Sequence, residues 1–218
     1  MPQDKHSFIK LCIQHEILRF GEFKLKSGRI SPYFFNAGLF KDGMLLAELA
    51  SSYAALIARQ FSDSVENIML YGPAYKGIPL AAATVVQLAN QHGINLPYAF
   101  NRKEEKDHGE GGNIVGAPLQ GDVIIIDDVI TAGTSVKESV DIIRAAGASP
   151  CAVVIALDRQ EVAGDNKLSA VQAVEQSLDI PVHAIIRLED LIEHLKNDPV
   201  NQDYVDTVVA YRNQYGCS

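Results

Sequence analysis

Apolar residues recur at helical spacing over 3–20 and again through MLLAELASSYAALIARQF at 44–61, where Asp42 and Gly43 mark a start. Short unbroken apolar runs come next: NIMLYG (67–72), LPYAFN (96–101), DVIIID (122–127), CAVVIAL (151–157) and VHAII (182–186). Between and beyond them, 77–92, 135–146, 168–177, 188–196 and 199–214 are patterned as helices. Strands without polar alternation are buried on both sides, so their alternation with helices predicts a parallel sheet covered on both faces. EFKLKSGRISPYFFNAG (22–38) breaks this rhythm. Ser27 and Gly28 lie between two β-prone runs, which predicts a hairpin and hence a small appendage beside the main sheet. The polar, glycine-containing stretches 102–116 and 160–167 are predicted loops. The expected class is α/β, one domain with a flap.

A chain of 218 residues with 47% hydrophobic and 21% charged residues can build a full core, and no linker, repeat or low-complexity tract divides it. The opening MPQDKHSFIKLC lacks the basic-then-apolar layout of a secretory signal. No apolar run approaches the roughly 20 residues that a membrane-spanning helix requires. A cytoplasmic protein without membrane partners is expected. Cys12, Cys151 and Cys217 are far apart with no C-x-x-C, which argues against a disulfide framework and against zinc. A formal net charge of −8 disfavours nonspecific nucleic-acid binding, which needs a basic face.

The chemistry concentrates in VIIIDDVITAGTS, 123–135. In open α/β sheets ligands bind beyond the carboxyl ends of strands, where Asp127 and Asp128 fall. Solvated acids at a strand end are the plain reading of such a pair. The residues beyond them weigh against it: Thr131, Gly133, Thr134 and Ser135 lead into a segment whose Val136, Val140 and Ile143 share a helix face. Ser135 with Glu138 fits a capping box, so the helix is expected to start there. A turn of small residues opening a helix offers backbone N–H groups and a positive dipole end to an anion. Carboxylates and an anion cradle in one loop fit a ribose 5-phosphate, its phosphate in the turn and its 2′ and 3′ hydroxyls donating to Asp127 and Asp128. A nucleotide-triphosphatase reading needs a partner loop of the G-x-x-x-x-G-K-[ST] type. GPAYKG (72–77) has the glycine spacing, but Ile78 and Pro79 stand where Lys and Ser or Thr are required.

VIIIDDVITAGTS resembles the phosphoribosyl-diphosphate signature of the type I phosphoribosyltransferases. FGEFKLKSGRISPYFFNAG, YGPAYKGIPLA, NRKEEKDHGEGGNIVG and ALDRQE are similar, in order and spacing, to the orotate phosphoribosyltransferase family, and the similarity covers essentially the whole chain. It implies a Rossmann-like parallel core flanked by helices, a hood from about 20–40, and a mobile catalytic loop at about 102–116, in one domain spanning 1–218. It also implies transfer of ribose 5-phosphate from 5-phospho-α-D-ribose 1-diphosphate to orotate, giving orotidine 5′-phosphate and diphosphate in pyrimidine biosynthesis. The alternatives are a purine-base transferase and a non-catalytic sensor of the diphosphate sugar, both on the same fold.

The resemblance assigns roles that the residues alone leave open. RKEEKDHGEGGN would pass as a solvated charge run, but its length favours a binding loop. Its cations suit a departing diphosphate whose charge grows as the bond breaks. Lys26, Lys103, Lys106 and His108 are the implied catalytic residues. The implied contacts to the diphosphate sugar are those four with Tyr75, Lys76, Arg102, Asp127, Asp128, Val129, Ile130, Thr131, Ala132, Gly133, Thr134 and Ser135. A cis peptide at Ala74-Tyr75 is expected in the diphosphate loop. The orotate site is implied at Lys26, Phe34, Phe35, Thr131 and Arg159. One of the two phenylalanine rings is expected in the core, since neighbours on a strand face opposite ways. Arg159 suits the orotate carboxylate, and its plain alternative is a surface ion pair with Asp158 or Glu161. Magnesium is the implied cofactor, held mainly through substrate oxygens with few or no protein ligands, and a homodimer with shared sites is the implied assembly.

Overall fold

The computed structural model describes residues 4–25, 27–62, 67–103, 113–163 and 167–217. A six-stranded sheet runs in the order β5-β4-β3-β6-β7-β8, and a separate two-stranded sheet is formed by β1 and β2. The strands of the main sheet are β3 (Ile68–Gly72), β4 (Tyr98–Asn101), β5 (Ile114–Gly116), β6 (Asp122–Ile126), β7 (Ser149–Asp158) and β8 (Val182–Arg187). All neighbours pair in parallel except β4 with β5. β5 lies inside the predicted 102–116 loop. Three residues are too few to show a period, so the apolar pair Ile114 and Val115 carried no readable signal.

The strands are apolar on both sides because the sheet has two cores. Ile68, Leu70, Ile124, Ile126, Ala152, Val154 and Ala156 face one cluster. Their alternates Met69, Tyr71, Val123, Ile125, Val153 and Ile155 face the other. The first cluster is covered by α1 (Lys5–Gln14), α2 (Gly43–Gln60), α3 (Gly77–His92), α6 (Leu188–Lys196) and α7 (Val205–Tyr215). The second is covered by α4 (Thr134–Ala145) and α5 (Ala170–Leu178) through Val136, Val140, Ile143, Val171 and Val174. Each such side chain, taken fully out of water, contributes about 1.5–3 kcal/mol before entropy is counted.

Local signals set the ends of the helices. Asp42 caps α2, its carboxylate accepting from the Leu45 N–H at 3.0 Å. Gly93, with φ +67°, ends α3 in the left-handed conformation. The expected first helix over 3–20 is an overreach. α1 stops at Gln14, Glu16 takes φ +57°, and Leu18 already pairs with Phe35 as the start of β1 (Leu18–Lys24). Leu18 and Phe20 fit a helix period and a strand period equally, and pairing with β2 (Ile30–Phe35) decides between them. The turn from Leu25 to Arg29 contains Ser27 and Gly28 as expected, with Gly28 at φ +84°. The expected helix at 199–214 is instead a 3-10 turn at Gln202–Tyr204 followed by α7. The predicted loop at 160–167 makes two β-bridges, Glu161 to Gly216 and Val162 to Ser169.

Candidate active site

Chain order reverses between β3 and β6. From β3 the sheet proceeds to β4 on one side, and from β6 to β7 and β8 on the other. A crevice opens where neighbouring connections diverge in this way. Two segments leave the carboxyl ends of this strand pair, 72–77 after β3 and 127–135 after β6. Sheet topology thus joins motifs about fifty residues apart in sequence.

The first segment is a tight turn in which glycine is required twice. A Cβ on Gly72 would lie 2.1 Å from the Gly77 carbonyl oxygen, and one on Gly77 would lie 2.5 Å from Pro73 Cδ. The Ala74-Tyr75 peptide is cis, as expected from the sequence. Asn101 Oδ1 accepts from the Ala74 N–H at 2.9 Å, tying the turn to the end of β4. Tyr75 is exposed, and Lys103 Nζ stands 5.2 Å from its ring centroid. Lys76 reaches across the crevice, its Nζ donating to Asp128 Oδ2 at 2.6 Å.

The second segment carries two buried carboxylates, Asp127 and Asp128. The Asp127 N–H donates to the Val154 carbonyl at 3.0 Å, and the Asp127 carbonyl accepts from the Tyr53 hydroxyl at 2.7 Å. Its carboxylate accepts from the Asp128 N–H at 2.9 Å. Burial, together with the neighbouring Asp128 charge, raises the Asp127 pKa to about 6, against the opposing hydrogen bonds from the Asp128 N–H and the Ser135 hydroxyl. Val129 and Ile130 send their side chains into the two cores, leaving only their backbone to face a ligand. Thr131, Ala132 and Thr134 are exposed.

The capping box expected at Ser135 is not formed. α4 begins at Thr134 with Gly133 as its cap, at φ +72° and without a side-chain hydrogen bond. The Gly133 carbonyl accepts from the Lys137 N–H at 3.0 Å. The first amides of α4 are therefore left without a side-chain acceptor at the mouth of the crevice, as an anion site requires.

Arg159, just past β7, shares this edge of the sheet. It does pair with Glu161, one of the two partners of the plain alternative, but with both side chains largely buried the pair is not a surface one. Its Nε and Nη2 donate to Glu161 Oε1 at 2.9 and 2.7 Å, and Nη2 also donates to Ser31 Oγ at 3.2 Å. The guanidinium lies over the Tyr33 ring, 4.7 Å from its centroid. Burial pulls the Arg159 pKa down, but Tyr33 and Glu161 outweigh it and hold the value above the ordinary one. Phe35 belongs to the core, as expected for one of the two rings. Phe34 stacks on Phe23 at 5.6 Å between centroids, one residue out of phase with Ser31 and Tyr33. Lys26, Lys106 and His108 lie outside the described residues, whereas Arg102 lies at the end of β4, its N–H donating to the Asn113 carbonyl at 2.7 Å.

Ser31, Tyr33, Asn101 and Tyr211 joined the site only in three dimensions. Alternation in SPYFF puts Ser31 and Tyr33 on one face, a signal that the sequence did contain. Tyr211 comes from α7 and carried none.

The chain matches the family model described as "Phosphoribosyl transferase domain" over residues 40–185. It is 58% identical over 212 residues to the orotate phosphoribosyltransferase of Marinobacter nauticus, covering 97% of this chain and 98% of the relative. Identity to the Hahella chejuensis orotate phosphoribosyltransferase is 56%, covering 96% of each chain. The crystal structure of the Francisella tularensis orotate phosphoribosyltransferase superposes with a TM-score of 0.84 at 45% identity, covering 96% of this chain and 98% of that one.

Proposed function

This chain belongs to the orotate phosphoribosyltransferase family of the type I phosphoribosyltransferases, and from that premise we propose how its residues divide the reaction between them. The family reaction joins a ring nitrogen of orotate to the anomeric carbon of 5-phospho-α-D-ribose 1-diphosphate and expels diphosphate, a step of pyrimidine biosynthesis. The observation that carries the proposal is the pairing of β3 with β6, which sets 72–77 against 127–135 at one sheet edge with Lys76 on Asp128.

In this reading the 5-phosphate binds the amides of 131–135 at the start of α4, and Asp127 and Asp128 accept from the ribose hydroxyls. Lys76 exchanges its bond to Asp128 for the incoming diphosphate, and a ribose hydroxyl takes its place. Lys103, beside Tyr75, adds a second cation on the leaving-group side, where negative charge grows. Lys26, Arg102, Lys106 and His108 are proposed for the same diphosphate on the family resemblance. Arg159 takes the orotate carboxylate, with Thr131, Lys26 and the 34–35 segment around the ring. Orotate is anionic already, so alignment and exclusion of water carry the rate rather than a strong base.

Magnesium is proposed on the family resemblance. Asp127 and Asp128 are engaged by ribose hydroxyls in this reading, and among the described residues no group of three or more His, Cys, Asp or Glu side chains could hold an ion. It would therefore be held mainly by diphosphate and hydroxyl oxygens and water, with few or no protein ligands. When bound, it would neutralise charge on the departing diphosphate. We further propose a single functional domain over 1–218, acting as a homodimer with shared sites. Sedimentation should then give about twice the 23.7 kDa chain mass, and a monomer would contradict it. A cytoplasmic location is proposed with it, on the family resemblance. Among the described residues no helix is long and apolar enough to cross a membrane.

A direct assay tests the base. Purified protein with the diphosphate sugar and magnesium should release diphosphate with orotate and not with adenine, guanine or hypoxanthine. Comparable turnover of a purine overturns the orotate assignment, and no turnover with any base favours a non-catalytic sensor.

A further inference from the structure

We propose that Glu161 is a positioning residue for the base: it grips one edge of the Arg159 guanidinium and thereby turns the other edge toward the substrate carboxylate. This rests on the reading of Arg159 as the group that binds orotate.

The Glu161 carboxylate accepts four hydrogen bonds from three parts of the chain. Oε1 takes Arg159 Nε at 2.9 Å, Arg159 Nη2 at 2.7 Å and the Tyr33 hydroxyl at 2.9 Å. Oε2 takes the Tyr211 hydroxyl at 3.1 Å. Tyr33 belongs to β2 and Tyr211 to α7, and their rings meet edge to face with centroids 6.3 Å apart. A carboxylate whose side chain is only 11% exposed is costly to bury unless its acceptors are filled, and here they are. The two tyrosine hydroxyls hold Glu161 independently of Arg159. It is therefore a fixture of the fold rather than a stand-in that leaves when substrate arrives.

That arrangement fixes Arg159 in every direction that matters for recognition. The Tyr33 ring beneath the guanidinium sets its plane. Glu161 sets its rotation within that plane by occupying Nε and Nη2. A guanidinium offers a planar carboxylate two forks, Nε with Nη2 or Nη1 with Nη2. The first is taken. Nη1 has no hydrogen-bond partner among the described residues, and the second Nη2 proton rests on Ser31 Oγ at the longer distance of 3.2 Å. The remaining fork is the one a ligand carboxylate can use, and Ser31 is the group it would share or displace. An arginine freed from Glu161 would keep its charge and lose this aim.

Steady-state kinetics on Glu161→Ala, Glu161→Gln, Arg159→Ala and the Glu161→Ala/Arg159→Ala double variant test the inference. Glu161→Ala should raise KM for orotate at least tenfold while leaving KM for the diphosphate sugar within twofold. Glu161→Gln, which keeps an acceptor oxygen for Arg159, should recover part of the loss. The double variant should be no worse for orotate than Arg159→Ala alone, because a residue acting through another adds nothing once its target is gone. An orotate KM within twofold of the parent in Glu161→Ala, or single-variant losses that multiply in the double variant, overturns the inference while Arg159 stands. Equal losses for both substrates in Arg159→Ala overturn the reading of Arg159 and this inference with it. If Glu161→Ala does not fold, Tyr211→Phe decides: removing that one hydroxyl should raise the orotate KM severalfold and selectively, and no change counts against the role.

Discussion

At the scale of single residues, the site is a set of charges paired with groups of the same chain. Lys76 rests on Asp128, Arg159 on Glu161, and Asp127 on its neighbour's amide. Asp127 has a consequence that pH can read. Its pKa is raised to about 6 in the folded chain, chiefly by burial. The folded state therefore holds this proton more tightly than the unfolded chain does, and the cost of the buried charge is relieved as pH falls through that value. Sugar hydroxyls need the ionised form as acceptor, so the effect on binding has the opposite sign. Affinity for the diphosphate sugar should fall on acidification below about pH 6, by up to about tenfold per unit for one proton. Asp127→Asn should bind weakly throughout and lack this limb, which separates it from titration of the ligand's own phosphates. An acid limb unchanged in Asp127→Asn would assign it elsewhere. Asp127 and Asp128 were legible in the sequence because a strand end needs no partner to be seen. The grip of Glu161 on Arg159 was not, because two of its four bonds come from residues 128 and 50 positions away.

At the scale of elements, the strand-to-turn-to-helix unit from β6 to α4 is the part to which phosphate binding is assigned in the proposed function. Its fold comes from one backbone conformation: Gly133 at φ +72° lets the chain turn into α4 while exposing the first amides. An alanine there would meet two costs, about 1–2 kcal/mol for a side chain in the left-handed region and a Cβ contact of 2.7 Å with Val174 Cγ2 on α5. Gly133→Ala should lower unfolding free energy by about 1–3 kcal/mol in denaturant titrations, with a raised KM for the diphosphate sugar. Unchanged values of both would show that the turn tolerates another shape. The helix is legible from Val136, Val140 and Ile143, but it begins at Thr134, one residue before the start that the Ser135 pattern indicates. The Ser135 and Glu138 pattern is compatible with a capping box, but the cap position falls on Gly133, which has no side chain to close one. The hairpin shows the same limit. Its turn was visible in Ser27 and Gly28, whereas Leu18 could be assigned to a strand only through pairing with Phe35.

At the scale of the whole molecule, the site exists because sheet order brings separate segments to one edge. The class, the parallel core and most elements could be read from alternating apolar runs and helical periods. The order β5-β4-β3-β6-β7-β8 could not, since strand pairing is a long-range choice among segments of similar composition. Pairing of β3 with β6 converts two motifs into one crevice, with Lys76 within 2.6 Å of Asp128. Binding of the sugar diphosphate in this crevice has a direct test in calorimetric titration of 5-phospho-α-D-ribose 1-diphosphate, with magnesium, into the parent protein and Asp127→Asn/Asp128→Asn. Circular dichroism and thermal melts first establish that the double variant is folded. Loss of two charge-assisted bonds, each about 1.5–3 kcal/mol, should weaken binding by at least about a hundredfold. A folded double variant that binds the sugar diphosphate within twofold of the parent would contradict the assignment.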